Sequence, residues 1–318
     1  MSTSGIFDSL YPRKCGFNMI LSLKIHIITF LNRKGILLFL FSVITCHAFS
    51  QDYNFRNFNS EDGLAQSYVY SITQDMHGYL WVGTGNGISR YNGFKFENYL
   101  NSDSSADNVI TCSIDDGEYM WFGHMNGGLS CFNGKKFHEV NIPQSNVSGL
   151  THFAKSPDGM VWVSTYSDGL LKLNKDSGVI KHNLFNNQTI ILSFEFIDES
   201  DLLIGTNTGL LYCRLKGSGE IEIIQHISEI PESKITGILK IKNKSGFYFA
   251  TENDGVFKLT SNGNNFKASK IAVGKASDFS SIQDIYEDNQ SNLWLSSFGN
   301  GLIKLSYSSA GELIKLMD

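Results

Sequence analysis

From Tyr68 onward the chain is written as short apolar runs cut by clusters of Gly, Asn, Asp and Ser. No stretch after residue 51 carries a long apolar period of 3.6 residues, so helices are not predicted. A typical unit opens with a short apolar run such as Val69–Ile72. A turn such as Asp75-Met76-His77-Gly78 or Ser156-Pro157-Asp158-Gly159 follows, and then a second run that carries Trp. A Gly-containing turn leads to a third run, and Asn92-Gly93 or Asn133-Gly134 leads to a fourth. Asn-Gly between apolar runs is a strong hairpin signal. Each unit therefore predicts four antiparallel strands.

The unit recurs six times, over 68–99, 108–140, 149–183, 190–224, 235–269 and 281–316. Three columns fix the register. Trp81, Trp121, Trp162, Leu203, Tyr248 and Trp294 fill the first, at intervals of 40, 41, 41, 45 and 46. Gly87, Gly128, Gly169, Gly209, Gly255 and Gly301 fill the second, each followed by an aliphatic residue. The third lies nine residues before the first: Ile72, Cys112, Phe153, Phe194, Leu239 and Ile285. Four strands per 40–50 residues, repeated, predict a β-propeller. One large ring per blade is expected to fill the wedge between blades. The column glycines are expected at positive φ. Cys112 is expected in the core. Cys131, aligned with Arg90, Lys172, Lys258 and Lys304, is expected to face solvent.

Residues 1–51 read differently. A basic Asn32-Arg33-Lys34 precedes the uncharged apolar run Gly35–Cys46, and Ala48 and Ser50 stand before Gln51 as a cleavage site. This is the pattern of a secretory signal peptide. Twelve apolar residues are short of the roughly 20 needed for a membrane span. An uncleaved anchor that also uses Ile20–Leu31, and a lipoprotein cut at Cys46, stay open, as does a start at Met19. The division is then a leader at 1–51 and a propeller at 52–318. Without the leader the chain keeps 21 basic and 30 acidic residues and three unclustered cysteines. That excludes a basic nucleic-acid stripe, a disulfide scaffold and a zinc motif.

Chemistry-bearing patterns are sparse. Gly83-Thr84-Gly85-Asn86-Gly87 leads into a strand, unlike a phosphate loop. Asn101, Asp103, Ser105 and Asp107 have alternate calcium-loop spacing, but the sixth-position Gly is missing. No metal site and no cofactor are expected. His124 replaces a turn Thr and is a candidate for facing the central funnel. Other ligand candidates lie in the fourth-to-first connections and second-to-third turns: Gln66, Tyr68, Asn86, Asn108, Asn126, Tyr166, Asp168, Asn207, Asn253, Phe298 and Asn300. Their amides, carboxylate and rings suit a neutral sugar. The same residue types also favour turns for local reasons.

The first unit reads Phe55, Phe58, Asp62-Gly63-Leu64, Val69, Ile72, Asp75, Gly78, Leu80-Trp81-Val82-Gly83-Thr84 and Gly87-Ile88. This resembles the two-component regulator propeller family. The resemblance covers 52–316. It is sharp in the first unit and degraded in the fourth and fifth, which lack Trp. It implies the periplasmic input region of a hybrid histidine kinase that responds to glycans. The expected partners are a small-molecule ligand such as an oligosaccharide, further blades of a longer sensor, or a second copy. The chain itself carries no kinase segment. The resemblance also makes Tyr53–Phe58 an isolated closing strand, and hence the whole an incomplete seven-bladed propeller from a truncated or split sensor gene. A closed six-bladed ring is the alternative. A stand-alone interaction propeller and a propeller lyase or hydrolase are the competing functions.

Overall fold

A computed structural model describes residues 55–99, 108–142, 147–166, 168–174, 178–184, 189–217, 219–242, 245–263, 265–271, 281–307 and 313–315. The leader, Tyr53, Asn54 and the Asn101, Asp103, Ser105 and Asp107 segment lie outside these described residues.

The described residues from Phe58 onward form one compact all-β unit. In the first blade β1 (Val69–Gln74), β2 (Leu80–Thr84), β3 (Gly87–Tyr91) and β4 (Phe96–Tyr99) pair in chain order. The other five repeats build the same antiparallel meander. They run β5 (Ile110–Asp115) to β8 (Phe137–Glu139), β9 (Leu150–Lys155) to β12 (Gly178–Leu184), and β13 (Ile191–Phe196) to β16 (Glu220–His226). The last two run β17 (Ile235–Lys240) to β20 (Asn265–Lys270), and β21 (Ile282–Glu287) to β24 (Leu313–Lys315). First strands stand side by side: β1 with β5, β5 with β9, β9 with β13, β13 with β17, and β17 with β21. This is the radial stacking of a propeller. The outer strands β12 and β16 also pair in parallel through Asn183 and Leu184, which joins the third and fourth blades at the rim.

The hydrophobic core is divided into five interblade clusters, and each contains one member of the first column. Trp81 stands between blades one and two, Trp121 between two and three, Trp162 between three and four. Leu203 and Tyr248 hold the next two wedges. Where Leu203 is too small to fill its wedge, the Tyr212 and Phe266 rings meet at a tilt with centroids 5.0 Å apart. Trp294, on the outer face of the sixth blade, is half-buried. Ile72, on the opposite face of the first blade, is 66% exposed, whereas Phe153, Phe194 and Ile285 are buried.

Four expectations are corrected. The third column slips by one residue in two blades. Ile72, Phe153, Phe194 and Ile285 lie opposite Val82, Val163, Ile204 and Leu295, but Ser113 and Ile238 take that place, not Cys112 and Leu239. The first hairpin is one residue shorter in blade two and one longer in blade five. Cys112 thus turns to the other face, where it is still buried. In the second column Gly127, not Gly128, takes the left-handed conformation, with φ 87°. Cys131 is buried, not solvent-facing. Its neighbours in that column run a long stem over the indole, with Arg90 5.4 Å from Trp81, Lys172 5.4 Å from Trp162 and Lys304 5.1 Å from Trp294. A thiol has no stem to reach water, and burial pushes it up to about 11. Finally, Phe55–Phe58 form no strand. The Phe58 ring instead lies on Tyr91 and Phe96, at 5.2 and 5.4 Å, ahead of a capped 3-10 turn at Ser60–Asp62.

Candidate functional site

One backbone hydrogen bond recurs in every blade and builds the face on which the candidates lie. An amide in the second-to-third turn donates to a carbonyl in the connection that enters the same blade. The pairs are Gly85 to Tyr68, Met125 to Val109, Tyr166 to Ser148, Asn207 to Ile190, Glu252 to Lys234, and Phe298 to Ser281, at 2.9–3.1 Å. The turns and connections singled out from the sequence are therefore stitched together at one end of the blades. At the same level every first strand carries a register shift against its second strand. Such bulges re-aim a side chain out of the ladder. Thr111, in one of them, donates to the Leu150 carbonyl of the next blade at 2.6 Å.

The individual candidates separate into three groups. Tyr68 and Phe298 are 71% and 79% exposed, and Asn86, Asn126, Asn253 and Asn300 are exposed as well. A second group is spent on the turns. Asn207 Oδ1 accepts from the Ile190 amide at 3.2 Å, and the Asn108 carbonyl accepts from Gly87 at 2.7 Å. Asn126 Oδ1 accepts from Gly128 at 3.0 Å yet keeps an exposed side chain. Gln66 is half-buried, with Oε1 in the space a Cβ at Gly85 would occupy, 2.1 Å away. Third, His124 is corrected. It is 1% exposed and shares a 2.8 Å hydrogen bond with Ser130, so it belongs to the framework and does not line a funnel. In four other blades a Thr at this place donates to a turn carbonyl instead: Thr84, Thr165, Thr206 and Thr251.

Tyr166 and Asp168 lie where blades two and three meet. The Tyr166 amide donates to Ser148 and Gly149 carbonyls, both at 3.0 Å. Asp168 accepts from the Ser148 amide and hydroxyl at 3.2 Å and from Lys181 at 3.1 Å. Burial raises the Asp168 carboxyl, but the Ser148 and Lys181 donors outweigh it and hold the group below the usual carboxylate range. Ser148, Gly149 and Lys181 were not singled out from the sequence. They belong to a connection and an outer strand whose meeting with Asp168 is set by folding, though a Gly just before a first strand occurs in the third repeat.

The sequence of residues 63–86 matches the description of the two component regulator propeller. The chain carries the two-component regulator propeller repeat. Seventy-five residues of the chain are 36% identical to histidine kinase P4 of Formosa agariphila, which is 24% of this chain and 6% of that protein. The propeller also superposes on the extracellular domain of a putative hybrid two component system from B. thetaiotaomicron. There the TM-score is 0.65 at 23% identity, over 83% of this chain and 37% of that one. Virginiamycin B lyase from Staphylococcus aureus gives a TM-score of 0.64 at 18% identity, over 79% and 84%. At these identities the two superpositions show a shared fold. This chain thus spans a small part of the kinase and just over a third of that extracellular domain.

Among the described residues no helix is long and apolar enough to cross a membrane, and no three His, Cys, Asp or Glu side chains are placed to hold a metal ion. Among the titratable groups on first strands, two are moved by burial in opposite senses across the mildly acidic range. Burial pushes His152 on β9 down to about 4. Burial raises Glu195 on β13 to about 7, against the Phe196 amide and Lys240. The signs oppose. A His neutral in the fold takes up a proton on unfolding, so its contribution is whole above about pH 6.5 and lost toward pH 4. A carboxyl raised in the fold favours the folded state at the acid end, and that favour is lost as pH rises from about 4.5 to 7. His152→Gln is therefore expected to abolish an acid-side loss on the order of 2–3 kcal/mol. Its melting temperature should then rise between pH 7 and 4.5 where the parent's falls or stays level. Parallel curves for the two proteins would refute the assignment.

Proposed function

We propose that this chain is an exported ligand-sensing propeller, the input part of a two-component system, and that its ligand is a neutral oligosaccharide. The regulator propeller repeat at residues 63–86 is the observation that supports the sensor role. The stitched face supports the ligand class. It offers exposed rings at Tyr68 and Phe298 and exposed amides at Asn86, Asn126, Asn253 and Asn300. Sugar hydroxyls take planar amide partners, and the C–H faces of the ring lie on aromatic side chains. Export is supported by the leader pattern at 1–51.

The test is isothermal calorimetry of the purified protein against neutral and acidic oligosaccharides, with thermal shift in parallel. Saturable heat and a raised melting temperature with a neutral oligosaccharide are expected. Flat heats across the series, with no shift, would refute the ligand class.

A further inference from the structure

The ligand face is not built equally around the blades. Where blades two and three meet, left-handed glycines stand hard against neighbouring chain. A Cβ at Gly127 would lie 1.9 Å from the Val147 carbonyl oxygen. Within blade three, at Gly169, it would lie 2.2 Å from the His182 carbonyl oxygen. At Gly149, φ 40°, it would lie 2.4 and 2.7 Å from two ring carbons of Tyr166 and 2.9 Å from the Met125 carbonyl oxygen. By contrast Gly209, Gly299 and Gly301, in the corresponding turns of blades four and six, have nothing within 4 Å. The missing side chain of Gly149 is what lets the Tyr166 ring settle onto the backbone. The ring keeps 38% of its surface exposed, and Met125 beside it keeps 41%. Asp168, fixed by Ser148 and Lys181, closes the turn.

We infer that the junction of blades two and three is the principal subsite, in which the Tyr166 ring, seated by Gly149, stacks against one pyranose ring of a neutral sugar. This rests on the oligosaccharide reading above and adds to it the place, the platform and the positioning residue. A ring already seated loses little conformational freedom when it is covered. Asn126 presents an exposed amide at the edge of this surface. Asp168 and Lys181 cancel in charge, which fits a neutral sugar better than a uronate.

The experiment uses the full chain labelled with methyl-13C methionine and titrated with a pool of xylotriose, cellotriose, laminaritriose and mannotriose. The Met125 resonance, assigned with Met125→Leu, is expected to move saturably. Tyr166→Ala should weaken binding by roughly tenfold, while Tyr166→Phe should stay within about twofold of the parent. Gly149→Ala should weaken binding with its melting temperature recorded alongside, and Phe94→Ala, an exposed ring in the β3–β4 turn outside the candidate face, should not change affinity. Tyr166 lies on an exposed turn, so its alanine variant keeps the test meaningful if Gly149→Ala folds poorly. Undiminished binding by Tyr166→Ala, or an unmoved Met125 signal while the parent binds, would overturn the subsite and leave the oligosaccharide reading standing. Absence of heat for the parent protein with every member of the pool would overturn both.

Discussion

Trp81→Ala is expected to destabilise the protein by about 3–5 kcal/mol, the usual range for truncating a large buried ring. Trp81 is 1% exposed. Its ring meets Phe132, Phe122 and Phe137 of the next blade at 5.1, 5.6 and 6.3 Å, and stacks on Tyr99 of its own at 5.9 Å. Its Nε1 donates to Asp75 Oδ2 at 2.7 Å, and Arg90 lies over its face. Removal leaves a cavity between two blades that cannot close without moving a whole sheet. It also leaves the Asp75 carboxylate short of a donor, which adds about 1–2 kcal/mol. Trp81→Phe keeps most of the packing and should cost only the latter share. Trp294→Ala is the internal control. That ring is half-buried but keeps its own Nε1 bond to Asp288, at 2.9 Å. It should cost about 1–2 kcal/mol. Urea unfolding of the three variants decides the matter. A Trp81→Ala loss no larger than the Trp294→Ala loss would mean that the interblade wedge is not what holds the first two blades together.

Gly127→Ala is expected to cost roughly 2–5 kcal/mol, the sum of a left-handed alanine and an overpacked contact. The contact is with backbone, the Val147 carbonyl oxygen, so no rotamer change can relieve it. Gly134→Ala separates the two terms. Its φ of 83° matches the 87° of Gly127, but a Cβ there meets nothing within 4 Å. It should cost only the conformational share, about 1 kcal/mol. The difference between the two melting temperatures reads the steric term directly. Because Val147 leads into Ser148 and Gly149, Gly127→Ala should also disturb the Tyr166 turn and lower ligand affinity. Equal losses in the two variants would show that the blade two turn has room to move.

The sequence by itself determined the architecture, because blade formation is a local matter repeated six times. Hairpin turns such as Asn92-Gly93 and the recurrent Trp column are set by neighbours along the chain, and the four-strand meanders follow from them. The regulator propeller resemblance was legible in the same residues, since Leu80–Thr84 with Gly87 is a contiguous pattern. What it left open were features of one-residue accuracy or of long range. A shorter hairpin in blade two turned Cys112 to the opposite face, and period-two side chains make any such slip a change of face. Gly127 and Gly128 are both available to the turn, and only the contact with Val147 chooses between them. Cys131 was read from a column of long cations, but burial depends on where a side chain ends, not on where its column lies. The candidate face was half legible. Its loops could be named from turn chemistry, yet the same Asn and Asp residues are used in those turns, as Asn207 shows. The seating of Tyr166 on Gly149, the Asp168–Lys181 pair and the withdrawal of His124 toward Ser130 join residues that are separated in sequence or sit on adjacent strands. Those were decided by the tertiary structure, because only the pairing of strands within a blade, and the docking of the entering connection on that blade's turn, bring their atoms within reach.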